Sequence, residues 1–406
     1  MKKIKFILFY DRIFLQIGGT SMGLKMRYNF LHLFYWFSCC CINGFIAVFL
    51  QYKGLTNTEI GIVTGGSCIA TIFLSPFISS LLSKVKGLTI KKLMTIIFIL
   101  TCGMYIIMAY LTLPSFVLMA IYIIMYALNL STVPMLTMIA MNYINEGIYV
   151  NFGLARGIGS ASWATSALLF GQVLSFLDTS ILSIGYLIFT IITLMILFTL
   201  PESQMKEVQN KKEGSVFTVV KNYRIFFFLL VGFCFMFAGA TSIGTYLINI
   251  VKNLGGDTSL YGVAMFAMAF SELPVMMAVP KLMKKFNSVT LILIASIFYI
   301  LRNYTIGLAP HLIILIIGMM FQGLSYGLFT GVITYYVTYN LETQDQMAGQ
   351  TMIGIMTSGI GSTLGNVLGG ILQDTIGLDA LFMFVYIMTA IGAVVIISCK
   401  MISQKG

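Results

Sequence analysis

Twelve apolar stretches run along the chain, separated by short polar breaks. They cover approximately residues 28–50, 60–82, 93–112, 116–139, 153–176, 181–200, 225–250, 259–280, 289–308, 312–338, 348–373 and 380–399. Each is long enough to cross a bilayer as a tilted α-helix of roughly 20 residues. The apolar runs are continuous, not alternating, which excludes a transmembrane β-barrel. One connection is both long and polar. Residues 201–222 carry Glu202, Lys206, Glu207, Lys211, Lys212, Glu213 and Lys221 between the sixth and seventh stretches. This pattern predicts an all-α membrane protein with twelve transmembrane helices in two pseudo-symmetric six-helix halves. The expected parts are an amino-terminal segment (1–26), a first half (27–200), a central loop (201–222) and a second half (223–406).

The two halves also repeat. Gly54-Leu55-Thr56-Asn57-Thr58-Glu59-Ile60-Gly61 leads into the second span, and Gly255-Gly256-Asp257-Thr258-Ser259-Leu260-Tyr261-Gly262 leads into the eighth. Both place turn and capping residues before a helix that opens on a glycine. Lys84 and Lys86 end one helix, and Lys284 and Lys285 end the other. Two halves of the same topology form a parallel repeat.

Composition strengthens the membrane reading. Hydrophobic residues make up 59% of the chain and charged residues 9%, against about 25% charged in soluble domains. The net charge of +11 needs no nucleic-acid partner, because its distribution follows the positive-inside rule. Of 24 lysines and arginines, only Lys53 and Lys252 lie in loops opposite the termini, and Arg156 and Arg302 lie inside spans. All others share the side of the termini and the central loop. A multi-pass protein of the cell membrane with both termini cytoplasmic is expected. The seven cysteines, Cys39, Cys40, Cys41, Cys68, Cys102, Cys234 and Cys399, lie in or beside apolar runs without metal-ligand spacing and read as packing residues. Residues 1–21 are short, carry Asp11 and Arg12 mid-segment, and lack a cleavage site. They read as a cytoplasmic amphipathic segment or as the product of an upstream start codon. We favour the latter, with Met22 or Met26 first.

Few residues inside the spans can do chemistry. The fifth span crowds Gly153, Ala155, Gly157, Gly159, Ser160, Ala161 and Ser162 around Arg156 and Trp163. Arg156 and Trp163 are seven apart, hence on one helical face, with Ser160 between them. An arginine in a membrane helix costs about 2.5–3.5 kcal/mol on insertion scales unless it faces protein or water. Small neighbours let other helices approach closely. This helix is expected to present a cation and an aromatic plate to a polar cavity. Glu272 and Arg302, on consecutive spans, are the other deep ionisable groups. They read as a proton-coupling pair or a structural ion pair. Asn43 on the first span shares a face with His32 and Trp36 and is a candidate solute ligand, whereas His32 is expected near the membrane interface. Gln322, Ser325, Tyr326 and Phe329 form a mixed face on the tenth span, with Gln322 and Tyr326 the candidate ligands. Gly361, Gly365 and Gly369 read as intramolecular small-residue packing. Glu146 and Glu342 fall in loops on the termini side and are expected to be solvated or gate-related. No phosphate-binding loop is present, and no metal or other cofactor is expected.

With these residues in view, the chain resembles the major facilitator superfamily from about Arg27 to Cys399. It is most similar to the branch holding the lactose permease and the phenylpropionate and nucleoside proton symporters. Phe152-Gly153-Leu154-Ala155-Arg156 followed by Trp163-Ala164 resembles the fifth-helix pattern of the lactose permease. The resemblance implies that Arg156 bonds sugar hydroxyls and that Trp163 stacks on the ring. Glu272 and Arg302 match an essential carboxylate and arginine. Gly54-Leu55-Thr56 and Ile60-Gly61 resemble an outer loop of the branch. The chain departs from that pattern at Met138, where the acid that pairs with the fifth-helix arginine would stand. It departs again at Phe237 and Ala240, where the seventh helix would carry carboxylates, in a tenth helix without His or Glu, and at Ser83 in the loop after the second helix. The resemblance implies a secondary active transporter, not an enzyme. The expected activity is proton-coupled symport of a small hydroxylated solute (sugar, oligosaccharide or nucleoside) by a monomer. Drug or metabolite efflux by the same fold is the alternative, with a transport-derived membrane sensor behind it.

Overall fold

A computed structural model describes residues 23–85, 87–148, 150–201 and 215–403. The amino-terminal segment 1–21 and most of the central loop lie outside the described residues. The described residues form twelve helical passes. The first six are α1 (Leu24–Gly44 with Ile46–Tyr52), α2 (Asn57–Lys84), α3 (Ile90–Tyr110), α4 (Ser115–Ile144), α5 (Phe152–Val173) and α6 (Ile181–Thr199). The second six are α7 (Arg224–Thr245 with Leu247–Asn253), α8 (Thr258–Leu282), α9 (Ser288–Gly307), α10 (Leu312–Asn340), α11 (Gln346–Thr375) and α12 (Leu378–Ser403). A short helix, Val216–Asn222, leads into α7. By length and apolarity ten helices can cross a membrane, and α1 makes an eleventh when its two pieces count together. α5 falls below that apolarity because its first half is rich in glycine and serine and holds Arg156. Its 22 residues are still long enough to span.

The repeated loops fold alike. Gly54 and Gly255 both adopt positive φ, 88° and 78°, which glycine tolerates without strain. Each is followed by a helix cap. The Thr56 hydroxyl accepts from the Glu59 amide while the Glu59 carboxylate accepts from the Thr56 amide, and the Asp257 carboxylate accepts from the Leu260 amide. Then comes the paired glycine. Gly61 lies against the backbone of Asn366 on α11, and Gly262 against Gly171 on α5. A Cβ on Gly262 would stand 2.6 Å from the Ala167 carbonyl and 2.9 Å from Gly171 Cα. The small-residue face of α11 works within its half: Cβ atoms on Gly361 and Gly369 would meet Cys234 and Ser242 of α7.

Hydrogen bonds between the halves gather at this end. Gln51 donates to Asn249 at 2.7 Å, and Asn249 donates to Asn57 at 2.9 Å. The Tyr246 hydroxyl lies within hydrogen-bonding distance of the Asn57 and Asn366 carbonyls. Asp374, at the end of α11, accepts from the amides of Asn57 and Thr58 and so caps α2 with a carboxylate, the charge favoured at a helix N-terminus. This end of the bundle is sealed. A tryptophan at Gly61 or Gly262 therefore wedges the seam apart. A Gln51→Cys, Asn249→Cys pair should be joined by a short thiol cross-linker, and Gly262→Trp should abolish that joining. Cross-linking at the unsubstituted rate in Gly262→Trp would show that close backbone approach is not what seals it.

Candidate functional site

The site begins with a break in α1. Residues Cys40–Gly44 form one π-helical turn, and the helix then bends by 47°. The apolar run 28–50 predicts one uninterrupted span, so the bend is a departure from the pattern. A break inside a bilayer frees carbonyls that water cannot reach, at several kcal/mol each if unpaired. Tyrosines take them up. Tyr105 of α3 donates to the Cys41 carbonyl and Tyr122 of α4 to the Ile42 carbonyl, each at 2.8 Å, and Tyr261 of α8 donates to the Gly44 carbonyl. Tyr261 comes from the other half, so the break also ties the halves together. The π turn carries Asn43 to the interior, where its side chain accepts from Trp163 Nε1 at 2.9 Å.

A cavity of about 370 Å³ lies between the halves and is lined by α1, α2, α4 and α5 on one wall and α7 to α11 on the other. On the first wall the guanidinium of Arg156 lies over the Trp36 ring, 4.3 Å from its centroid, a cation–π contact worth about 0.5–2 kcal/mol. Its Nη1 donates to Ser160 at 2.9 Å. Gly159 makes room for this stack, since a Cβ there would stand 2.7 Å from Trp36 Nε1. Trp163 covers Gly44, whose Cβ would sit 3.3 Å from the indole. Arg156 remains exposed in the cavity although it lies within α5.

On the second wall Glu272 of α8 accepts from Gln322 Nε2 of α10 at 3.1 Å. Arg302 of α9 is 1% exposed and its Nη1 donates to Asn303, which in turn donates to Thr389 of α12. Glu272 and Arg302 are not within ion-pair distance of each other, although Glu272 lies within electrostatic reach of both Arg156 and Arg302. Several buried polar atoms of lining residues have no partner: Trp36 Nε1, Tyr299 Oη, Arg302 Nε and Gln322 Oε1. Tyr326 packs against Phe237 at 5.7 Å between centroids.

All seven candidate residues, Arg156, Trp163, Asn43, Gln322, Tyr326, Glu272 and Arg302, line this one cavity. Three neighbours do not. His32, expected at the interface, is 1% exposed. The Tyr28 hydroxyl one turn earlier donates to the Leu136 carbonyl and pairs with His32 Nε2 at 2.9 Å, which lets the imidazole be buried behind the cavity. On α10 a π turn over Gly323–Gly327 shifts the helical register. It turns Ser325 back onto the Phe321 carbonyl and stacks Phe329 on Phe233, away from the cavity. Sequence reasoning did not assign Trp36, Tyr299 or Asn366 to the site. Trp36 carried a usable signal, a tryptophan one and two turns from other polar residues on the same face. Asn366 stands among the glycines of α11, and its side chain accepts from Thr245 at 2.9 Å.

Comparison with known proteins places this geometry among relatives. Residues 25–384 match the MFS_1 like family. The maltose permease of Geobacillus stearothermophilus is 22% identical over 275 residues, 68% of this chain and 69% of the permease. Among solved structures, the nucleoside transporter NupG superposes with a TM-score of 0.77 at 16% identity, over 93% of this chain and 98% of the transporter. A D-xylose–proton symporter superposes with a TM-score of 0.67 at 14% identity, over 92% of this chain and 96% of the symporter.

Proposed function

Because the chain belongs to the MFS_1 like family and has the major facilitator fold of a multi-pass membrane transporter, we propose that it is a secondary active symporter. It carries a small hydroxylated solute, a sugar, oligosaccharide or nucleoside, together with a proton. The observation that carries this reading is the cavity at the seam of the halves, where two indoles, a guanidinium and amide groups converge. Aromatic plates suit the apolar face of a sugar or base, and amides and guanidinium suit its hydroxyls. Relatives named as maltose, nucleoside and xylose carriers support the solute class. Alternating access moves the solute as one half rocks against the other around the site. The distribution of basic residues supports cytoplasmic termini, which makes the sealed end the outer one.

Glu272 is the proton carrier in this reading. In the present state it rests on Gln322 and is parted from Arg302. A state that brings the guanidinium against it favours the ionised carboxylate and releases the proton.

Three measurements check the proposal. A reporter active only outside the cell, fused after Lys405, should be silent; activity there reverses the orientation. In proteoliposomes, counterflow of labelled sugars and nucleosides identifies the solute, and its affinity should fall about tenfold or more in Arg156→Lys and Trp163→Ala. Lysine loses the planar fork, and alanine loses both the plate and the bond to Asn43. Unchanged affinity in both variants would reduce these residues to packing. Glu272→Gln should exchange solute across the membrane and fail to accumulate it against a gradient. Gradient-driven uptake by that variant removes Glu272 from coupling, as does recovery of active uptake when Arg302→Gln is added.

A further inference from the structure

The charges lining the cavity do not balance. Its charged residues are Arg156, Arg302 and Glu272, two guanidiniums against one carboxylate. No other acid lines the cavity among the described residues: Glu59, Asp178, Asp257, Asp374 and Asp379 lie at the sealed end, and Glu146, Glu342 and Asp345 near the opposite one. Unpaired charge in a low-dielectric enclosure is costly, and the cost is greatest when both ends close around the solute and water is excluded. A neutral solute leaves that excess in place.

The free hydrogen-bonding groups lean the same way. Of the unpartnered buried atoms on lining residues, Trp36 Nε1, Tyr299 Oη and Arg302 Nε are donors, and Gln322 Oε1 alone is only an acceptor. Tyr299 and Arg302 are 0% and 1% exposed and lie three apart on α9, so they share a face. A surplus of donors calls for a solute rich in acceptors. Arg156 can meet its charge. Its Nη1 is engaged by Ser160 and its face by Trp36, which fixes the plane of the fork and leaves the rest of it to the cavity.

We propose that the solute carries one carboxylate, seated on the open edge of Arg156, which removes one positive charge from the loaded cavity whether or not Glu272 holds its proton, so that the transported class is a sugar acid and not a neutral sugar or nucleoside. This inference rests on the reading of the cavity as a site for hydroxylated solutes and narrows it. The ring of such a solute lies toward Trp163 and its hydroxyls toward the second wall, where Glu272 and Gln322 Oε1 accept from them.

Calorimetry on the purified full chain in lipid nanodiscs tests it with matched pairs, D-glucuronate against D-glucose and D-galacturonate against D-galactose, with uridine and 3-phenylpropionate alongside. At least one uronate should bind about tenfold or more tightly than its hexose, the size expected of one charge-assisted contact. Arg156→Gln should bring that ratio close to one; a ratio unchanged in this variant moves the carboxylate off Arg156 and overturns the proposal. The native protein alone decides the charge question, so a variant that fails to fold does not spare it. A hexose or uridine that binds as tightly as every uronate overturns the inference and leaves the neutral-solute symporter standing. Binding of 3-phenylpropionate without any uronate upholds the charge and removes the hydroxylated solute. Silence from every probe overturns both.

Discussion

The interior of this protein depends on satisfying backbone carbonyls where α1 stops being a regular helix. In hydrocarbon a freed carbonyl has no water to turn to. The π turn at Cys40–Gly44 is therefore possible only where donors reach it, and Tyr105, Tyr122 and Tyr261 supply them. The consequences spread outward. The turn points Asn43 at Trp163 and opens room for the indole over Gly44. Tyr261 fixes α8 against α1, and Gly262 beside it lets α8 meet α5 backbone to backbone. One local irregularity thus sets both a wall of the cavity and part of the seam that shuts it.

The cavity's polarity is divided between the halves. The first wall offers aromatic plates and one accessible cation; the second offers a carboxylate, an amide and a buried arginine. Each group is fixed by a neighbour: Arg156 by Trp36, Trp163 by Asn43, Arg302 by Asn303 and through it Thr389. A site held by side chains from both halves changes shape whenever they move relative to each other, which is what coupling solute occupancy to rocking requires.

Much of this was legible in the amino-acid sequence, for physical reasons. Span number and halves follow from run length, because a bilayer demands it. Arg156, Glu272 and Arg302 stand out because charge in hydrocarbon is too costly to be incidental. What stayed hidden were register changes. Cys39-Cys40-Cys41 and Ile42 carry no proline and read as continuous helix, since the cause of the break lies in tyrosines on three other helices. The π turn on α10 likewise undid a face counted at ordinary helical spacing, keeping Gln322 and Tyr326 in the cavity and sending Phe329 onto Phe233. Burial of His32 depended on Tyr28, whose hydroxyl had first to find the Leu136 carbonyl of α4.

The chain holds two tryptophans, Trp36 and Trp163, and both face the same cavity. One lies under a guanidinium and the other bonds an asparagine, so the two indoles sit in different electrostatic surroundings. The protein is thereby furnished with an intrinsic optical gauge of its own interior. Ultraviolet emission excited at the long-wavelength edge of the indole band, where the 21 tyrosines do not absorb, arises from the solute chamber, and its colour and intensity follow what enters, without any label.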